Sequence, residues 1–89
     1  MIMNRMTVTV KLYSIFRMEY IKSGKKYDVN GIKVTSEDIL SVRRIFDILG
    51  LDTRFFGFYA RQGVYNKDID IPLDDGDEVQ IFTVPPMGG

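Results

Sequence analysis

A chain of 89 residues with neither a cysteine nor a histidine must hold itself together without covalent staples and rely on its core. No disulfide can staple it, and a zinc site would have only carboxylates to use. A domain of this length removes roughly 60–65% of its unfolded surface from water, which gives a modest but adequate core. The material for that core is present, because 45% of the residues are hydrophobic and 12% aromatic, values typical of a globular domain. The same two absences restrict chemistry. Serine–histidine and cysteine–histidine nucleophile systems are excluded, as is a cysteine-held iron–sulfur cluster.

Charge and hydropathy narrow the partners. Twelve basic residues balance twelve acidic ones, whereas nucleic-acid binding normally demands a basic face. No apolar stretch approaches the roughly 20 residues needed to cross a bilayer, and no signal peptide is visible. The expectation is a cytoplasmic protein with neither a nucleic-acid nor a membrane partner.

Periodicity orders the elements. Residues 1–6 read as a loose lead-in, with methionines at 1, 3 and 6 as possible starts. From Thr7 to Tyr13 the residues alternate, with Val8, Val10 and Leu12 on one face, as in a half-buried strand. The polar, basic stretch 18–26 around Gly24 reads as a loop or wide hairpin connection. Residues 25–34 read as extended, interrupted or ended near the Asn30-Gly31 turn signal. Thr35 or Ser36 then caps a helix of about three and a half turns, on which Ile39, Val42, Phe46 and Leu49 recur at helical spacing. Gly50 ends it. An aromatic strand from Phe55 to Arg61 turns at Gln62-Gly63 into a short strand at Val64-Tyr65. Asp75-Gly76 turns the chain into a last strand, Glu78 to Thr83. A mixed sheet of four to five strands wrapped around one main helix is the α+β architecture called the β-grasp, or ubiquitin-like, fold. The reading divides the chain into the lead-in, a β-grasp domain over 7–83, and a tail over 84–89.

The tail carries the functional signal. Gly88 and Gly89 gain nothing by ordering in a packed domain, since glycine loses the most conformational entropy on folding. At a free terminus they form a thin strand whose reactive group is the Gly89 carboxylate, suited to a neighbour's narrow active site. Pro85 and Pro86 favour an extended path and lower the entropy lost on insertion. Six residues reach about 20 Å.

Beside the tail, Phe55, Phe56, Phe58 and Tyr59 cannot all face inward on one strand. Some of Phe56, Phe58 and Phe82, with Leu12 or Tyr13, should lie on an outer sheet face suited to partner binding. The acidic stretch 68–78 either steers docking or satisfies its own turn amides. Arg17, Lys22, Lys25 and Lys26 read as a solvated basic loop. Asp74 and Asp75 have no apolar surroundings to raise a pKa, so they are not a catalytic dyad.

Three segments carry a family likeness. Residues 10–18 (VKLYSIFRM) resemble the first strand and turn of the small subunit of molybdopterin synthase, with an arginine at the position of Arg17. Residues 72–82 (PLDDGDEVQIF) resemble that family's Pro-Leu-x-Asp-Gly-Asp-Glu-Val turn and last strand. The ending PPMGG is similar to its Pro-Pro-x-x-Gly-Gly terminus, with one residue, Met87, in place of two. The segment from Met18 to Val34 is longer and more basic than the family's usual connection. The chain thus resembles the ubiquitin-like sulfur carriers, its molybdopterin branch most closely.

The resemblance implies a protein cosubstrate rather than an enzyme in its own right. A ubiquitin-activating-type enzyme would use ATP in trans to adenylate Gly89, with Gly88 beside it, and a sulfur donor would convert the terminus to a thiocarboxylate. No cofactor would be bound permanently. The acceptor would be a pyranopterin precursor held by the molybdopterin synthase large subunit, with Pro85, Pro86, Met87, Phe82, Phe58, Tyr13 and Arg17 engaging partners. The thiamine-pathway carrier, which serves a thiazole synthase, and a modifier conjugated to lysines through Gly89 share the activation step and remain alternatives.

Overall fold

The first and last strands of this chain lie side by side at the centre of one sheet, and the remaining elements are arranged around that pairing. The computed structural model describes residues 5–84. β1 (Met6–Leu12) runs parallel to β5 (Glu78–Thr83), with Val10 opposite Val79 and Leu12 opposite Ile81. β2 (Ile32–Ser36) pairs antiparallel on the other side of β1, setting Val34 against Val8. β3 (Phe56–Arg61) pairs antiparallel with β5 and forms a hairpin with β4 (Val64–Asn66). The strand order is β2-β1-β5-β3-β4. In the hairpin, Gln62 and Gly63 both have positive φ, 53° and 77°, as a two-residue turn matched to strand twist requires.

The expected alternation in β1 holds. Val8, Val10 and Leu12 are fully buried and meet Val34, Val79 and Ile81 on one sheet face. Helix α2 (Val42–Leu49) closes that face with Val42, Ile45, Phe46 and Leu49. Its first turn is satisfied from two sides. The Ser41 hydroxyl accepts from the Arg44 N–H at 3.2 Å, and the Ile69 carbonyl accepts from the Arg43 N–H at 3.0 Å, pairing donors that a helix start leaves orphaned. Gly50, at φ 71°, ends the helix in the left-handed conformation.

This helix is shorter than the spacing implies. Ser36 stays in β2, and its hydroxyl accepts from the Asp38 N–H at 3.0 Å, a local turn instead of a helix cap. Leu40 is fully buried while its carbonyl accepts from the Leu73 N–H at 2.8 Å. That bond ties 40–41 to the 69–73 segment and leaves Ile39 70% exposed, outside the helix. Phe55 likewise lies not in a strand but at the end of a 3-10 turn, Thr53–Phe55.

The reading of one main helix is also corrected. Residues 18–22, read as part of a loop, belong instead to a second helix, α1 (Ile15–Lys22). It buries Phe16 and Tyr20, one turn apart, with Phe16 edge-on to Phe46 at 5.1 Å between ring centroids. Ser23 ends it, its hydroxyl donating to the Tyr20 carbonyl at 2.7 Å. The chain then returns without a strand. Where β2 has yet to begin, Tyr27 stands in for it: its phenol accepts from the Leu12 N–H at 3.1 Å and donates to the Leu12 carbonyl at 3.2 Å.

Candidate functional site

The outer face of the sheet is where the site must be sought, because β5 leads directly into the tail. Residues of β5 alternate, so Val79 and Ile81 fill the core while Phe82 points away from it. Phe82 stacks on Tyr13 with ring centroids 4.9 Å apart and planes inclined by 5°. On its other side it stacks on Phe58, also at 4.9 Å, which it faces across the β3–β5 ladder. Phe58 in turn meets the edge of Tyr65 at 5.3 Å. Four rings from β4, β3, β5 and the residue after β1 thus make one continuous row. Tyr65 is 70% exposed and the other three are half-buried. Between Phe58, Tyr65, Asn66 and Lys67 the surface dips into a shallow hollow of ≈ 630 Å³.

Arg17 closes the row at the α1 end. Its guanidinium carbon lies 4.7 Å from the Tyr27 ring centre and 5.5 Å from that of Tyr13. Its Nε donates to the Leu12 carbonyl at 3.1 Å. A cation so placed interacts with both ring faces. Phe58, Phe82 and Tyr13, candidates from strand alternation, and Arg17, a candidate from the resemblance, therefore lie along one row. Leu12 and Phe56, the other candidates for the outer face, are not: Leu12 is fully buried, and Phe56 meets Phe46 edge-on at 5.8 Å on the core side.

Tyr65 and Tyr27 were not singled out from sequence. Hairpin arithmetic would have found Tyr65. A two-residue turn at 62–63 pairs Arg61 with Val64 and Ala60 with Tyr65, which puts Tyr65 on the face of Phe58. Tyr27 gives no such signal, because its partner is the backbone of a distant strand.

At the top of the row the chain leaves the sheet. The Val84 N–H donates to the Phe55 carbonyl at 3.1 Å, one step beyond Thr83. Pro85, Pro86, Met87, Gly88 and Gly89 lie outside the described residues.

The acidic stretch is mostly consumed by the fold. Asp77 is only 6% exposed. Its carboxylate accepts from the Asp74 N–H at 2.8 Å, from Gln62 at 3.4 Å and from the Arg61 guanidinium at 2.8 Å. Asp74 also takes Arg61, at 2.8 Å. Asp75 accepts from the Thr7 N–H at 2.8 Å, Gly76 N–H donates to the Thr7 carbonyl, and Thr9 N–H to the Asp77 carbonyl. Asp70 takes Arg43 at both oxygens, which holds its carboxyl below the usual carboxylate range and Arg43 above its own. Arg54 does the same to Asp52. Tyr59, whose phenol donates to the Asp68 carbonyl at 2.9 Å, is pushed up by burial.

The basic residues also find work within the fold, since Lys25 reaches the Leu49 carbonyl at 3.3 Å, at the negative end of α2. Among the described residues no group of three or more acids is arranged to hold a metal ion. No helix among them is long and apolar enough to cross a membrane. The aromatic row offers π surface with Arg17 at one end and Lys67 beside Tyr65 at the other, an arrangement suited to binding. A scan against models of known families and a search among curated proteins both find no match to the chain.

Proposed function

We propose that this chain is a β-grasp sulfur carrier of the cytoplasm, acting as a cosubstrate through the Gly89 carboxylate. The observation that carries the reading is the position of Phe82. It is one of the two inner rings of the row and lies on the strand that runs directly into Val84 and the Pro-Pro-Met-Gly-Gly segment. A partner that docks on the row therefore meets the chain where the tail departs. The parallel pairing of first and last strands under α2 is compatible with the β-grasp arrangement.

The chemistry follows from the carboxylate. With an ordinary pKa near 3.5 it is ionised in the cell and is a poor electrophile. In the proposed cycle, a carboxylate oxygen of Gly89 attacks the α-phosphorus of ATP held by a ubiquitin-activating-type enzyme, and pyrophosphate leaves. A hydrosulfide-level donor then attacks the acyl carbon, AMP departs with the bridging oxygen, and a thiocarboxylate remains. Its acceptor is a small molecule bound by a larger partner, with a molybdopterin synthase large subunit preferred over a thiazole synthase on the Pro-Pro-Met-Gly-Gly ending. Gly88 and Gly89 lack a Cβ, so the backbone fits a narrow channel.

The test is an intact-mass measurement on the full chain. Incubation with ATP, the adenylating enzyme and hydrosulfide is expected to add about 16 Da, the exchange of one oxygen for sulfur. A mature chain that extends beyond Gly89, or an unchanged mass, overturns the proposal. Conjugates of this chain on lysines of other proteins would assign it instead as a modifier.

A further inference from the structure

Gly57 interrupts the ladder at the point where the tail begins. Phe58 pairs with Phe82, but Phe56 pairs with Thr83, so two steps along β3 match one step along β5 and Gly57 is the extra residue of a β-bulge. The bulge has a visible consequence for direction. Residues two apart on a regular strand share a face, yet Phe58 stacks on Phe82 outside the sheet while Phe56 meets Phe46 inside it.

The glycine is required there for space. A Cβ on Gly57 would fall 2.6 Å from the Thr83 carbonyl oxygen, 2.7 Å from its carbon and 2.8 Å from the Val84 nitrogen. These are backbone atoms, and they cannot swing aside as a side chain can. The close approach lets the chain beyond the bulge fold over the end of β5, where the Phe55 carbonyl takes the Val84 N–H at 3.1 Å. Val84 itself is half-exposed, and its N–H is held at the sheet's rim by this bond.

We infer that the Gly57 bulge and the Phe55–Val84 hydrogen bond form a clamp that fixes the direction in which the tail leaves the sheet. Gly57 is thus a positioning residue for the reaction at Gly89. The inference rests on the carrier reading for its functional half. Docking on the aromatic row sets affinity, while the clamp sets where a docked carrier aims its terminus. A misdirected root leaves binding intact and lowers the fraction of encounters in which the terminus reaches the reacting centre.

Two variants test it. Gly57→Ala forces the two backbones apart, and Val84→Pro deletes the donor while leaving Gly57 in place. In the wild type, hydrogen exchange followed by NMR is expected to show a protected Val84 amide, and in Gly57→Ala that protection falls by about tenfold or more while the Val10 and Val79 amides keep theirs. In adenylation assays with ATP and the adenylating enzyme, both variants are expected to lose about tenfold in kcat with KM for the carrier within about twofold of wild type. Unchanged Val84 protection in Gly57→Ala, or wild-type kcat in both variants, overturns the clamp. A loss confined to KM also overturns it, because that would place Gly57 in docking. A wild-type chain that is never adenylated fells the carrier reading itself, and the functional half of this inference with it, whereas the exchange data bear on the clamp alone.

Discussion

Two surfaces of this domain look equally suited to a partner when read as sequence, the acidic stretch 68–78 and the aromatic residues around Phe58 and Phe82. In the folded chain they have opposite fates. The acids of 74–77 are tied to Arg61, Gln62, Thr7 and their own turn amides, whereas the rings contact one another and the Arg17 guanidinium and stay partly in water. The physical reason is what each group demands. A carboxylate near the sheet must find donors or stay solvated, and a tight turn supplies free N–H groups in plenty. An aromatic ring on the outer face has no such local partner once the core is filled, and its remaining surface is satisfied only by another molecule. The region richest in charge serves the fold, and the region poorest in bonds is the one the proposed function assigns to binding.

The largest effect should fall on the acidic side and on stability alone. Asp77→Ala strands the Asp74 N–H and removes one of the two carboxylates facing Arg61. Because the Asp77 side chain is only 5% exposed, urea unfolding is expected to show a loss of about 2 kcal/mol or more. Affinity of the folded fraction for an adenylating enzyme should be unchanged. A comparable loss of affinity would erase the contrast between the two surfaces.

Phe82→Ala should do the reverse. Removing this inner ring breaks both of its stacks, and affinity for the adenylating enzyme is expected to drop by about 2 kcal/mol, the scale of a central aromatic anchor. Stability should fall by only about 1 kcal/mol, since the ring is only partly buried and lies outside the core. Calorimetric titration beside a urea curve separates the two numbers. Arg17→Met is a gentler probe of the same row, expected to cost about 1 kcal/mol of stability through the lost cation–π contacts with Tyr13 and Tyr27.

How far this contrast can be read from the sequence depends on how local each signal is. The β1 alternation of Val8, Val10 and Leu12 and the Gln62-Gly63 turn are local rules, and both appear in the structure as expected. The start of α2 is set at a distance. Leu40 is drawn out of helix by the Leu73 N–H, thirty-odd residues away, which no 3.6-residue spacing reveals. Helix α1 escapes notice because its buried pair is Phe16 and Tyr20, while Ile15, Met18 and Ile21 face outward. Its apolar residues do not segregate to one stripe, and the lysines that follow suggest a loop. The aromatic row was half legible, since Phe58, Phe82 and Tyr13 follow from alternation. Phe56 does not, because the Gly57 bulge reverses its side, and a bulge is visible only in the register of two strands together.

The smallest expected effect tests the exposed rim of the acidic stretch, where the fold's use of charge should fade. Asp70 accepts both bonds from Arg43, yet both side chains are more than half in water. Its carboxyl is held below the ordinary value by Arg43, so its contribution to stability is present above the unfolded-state pKa and is lost as pH falls through the lower folded value. Asp70→Asn should therefore lower the melting temperature slightly at neutral pH and not at all once the wild-type carboxyl is protonated. The wild-type and variant melting curves should converge on acidification. Salt at about 1 M should shrink the neutral-pH difference by screening. The same salt comparison on Asp77→Ala should keep its gap, because the Asp77 side chain, only 5% exposed, is sheltered from counterions. If salt removed both differences alike, the acidic stretch would be one solvated surface throughout, and its division from the aromatic row would lose its physical basis.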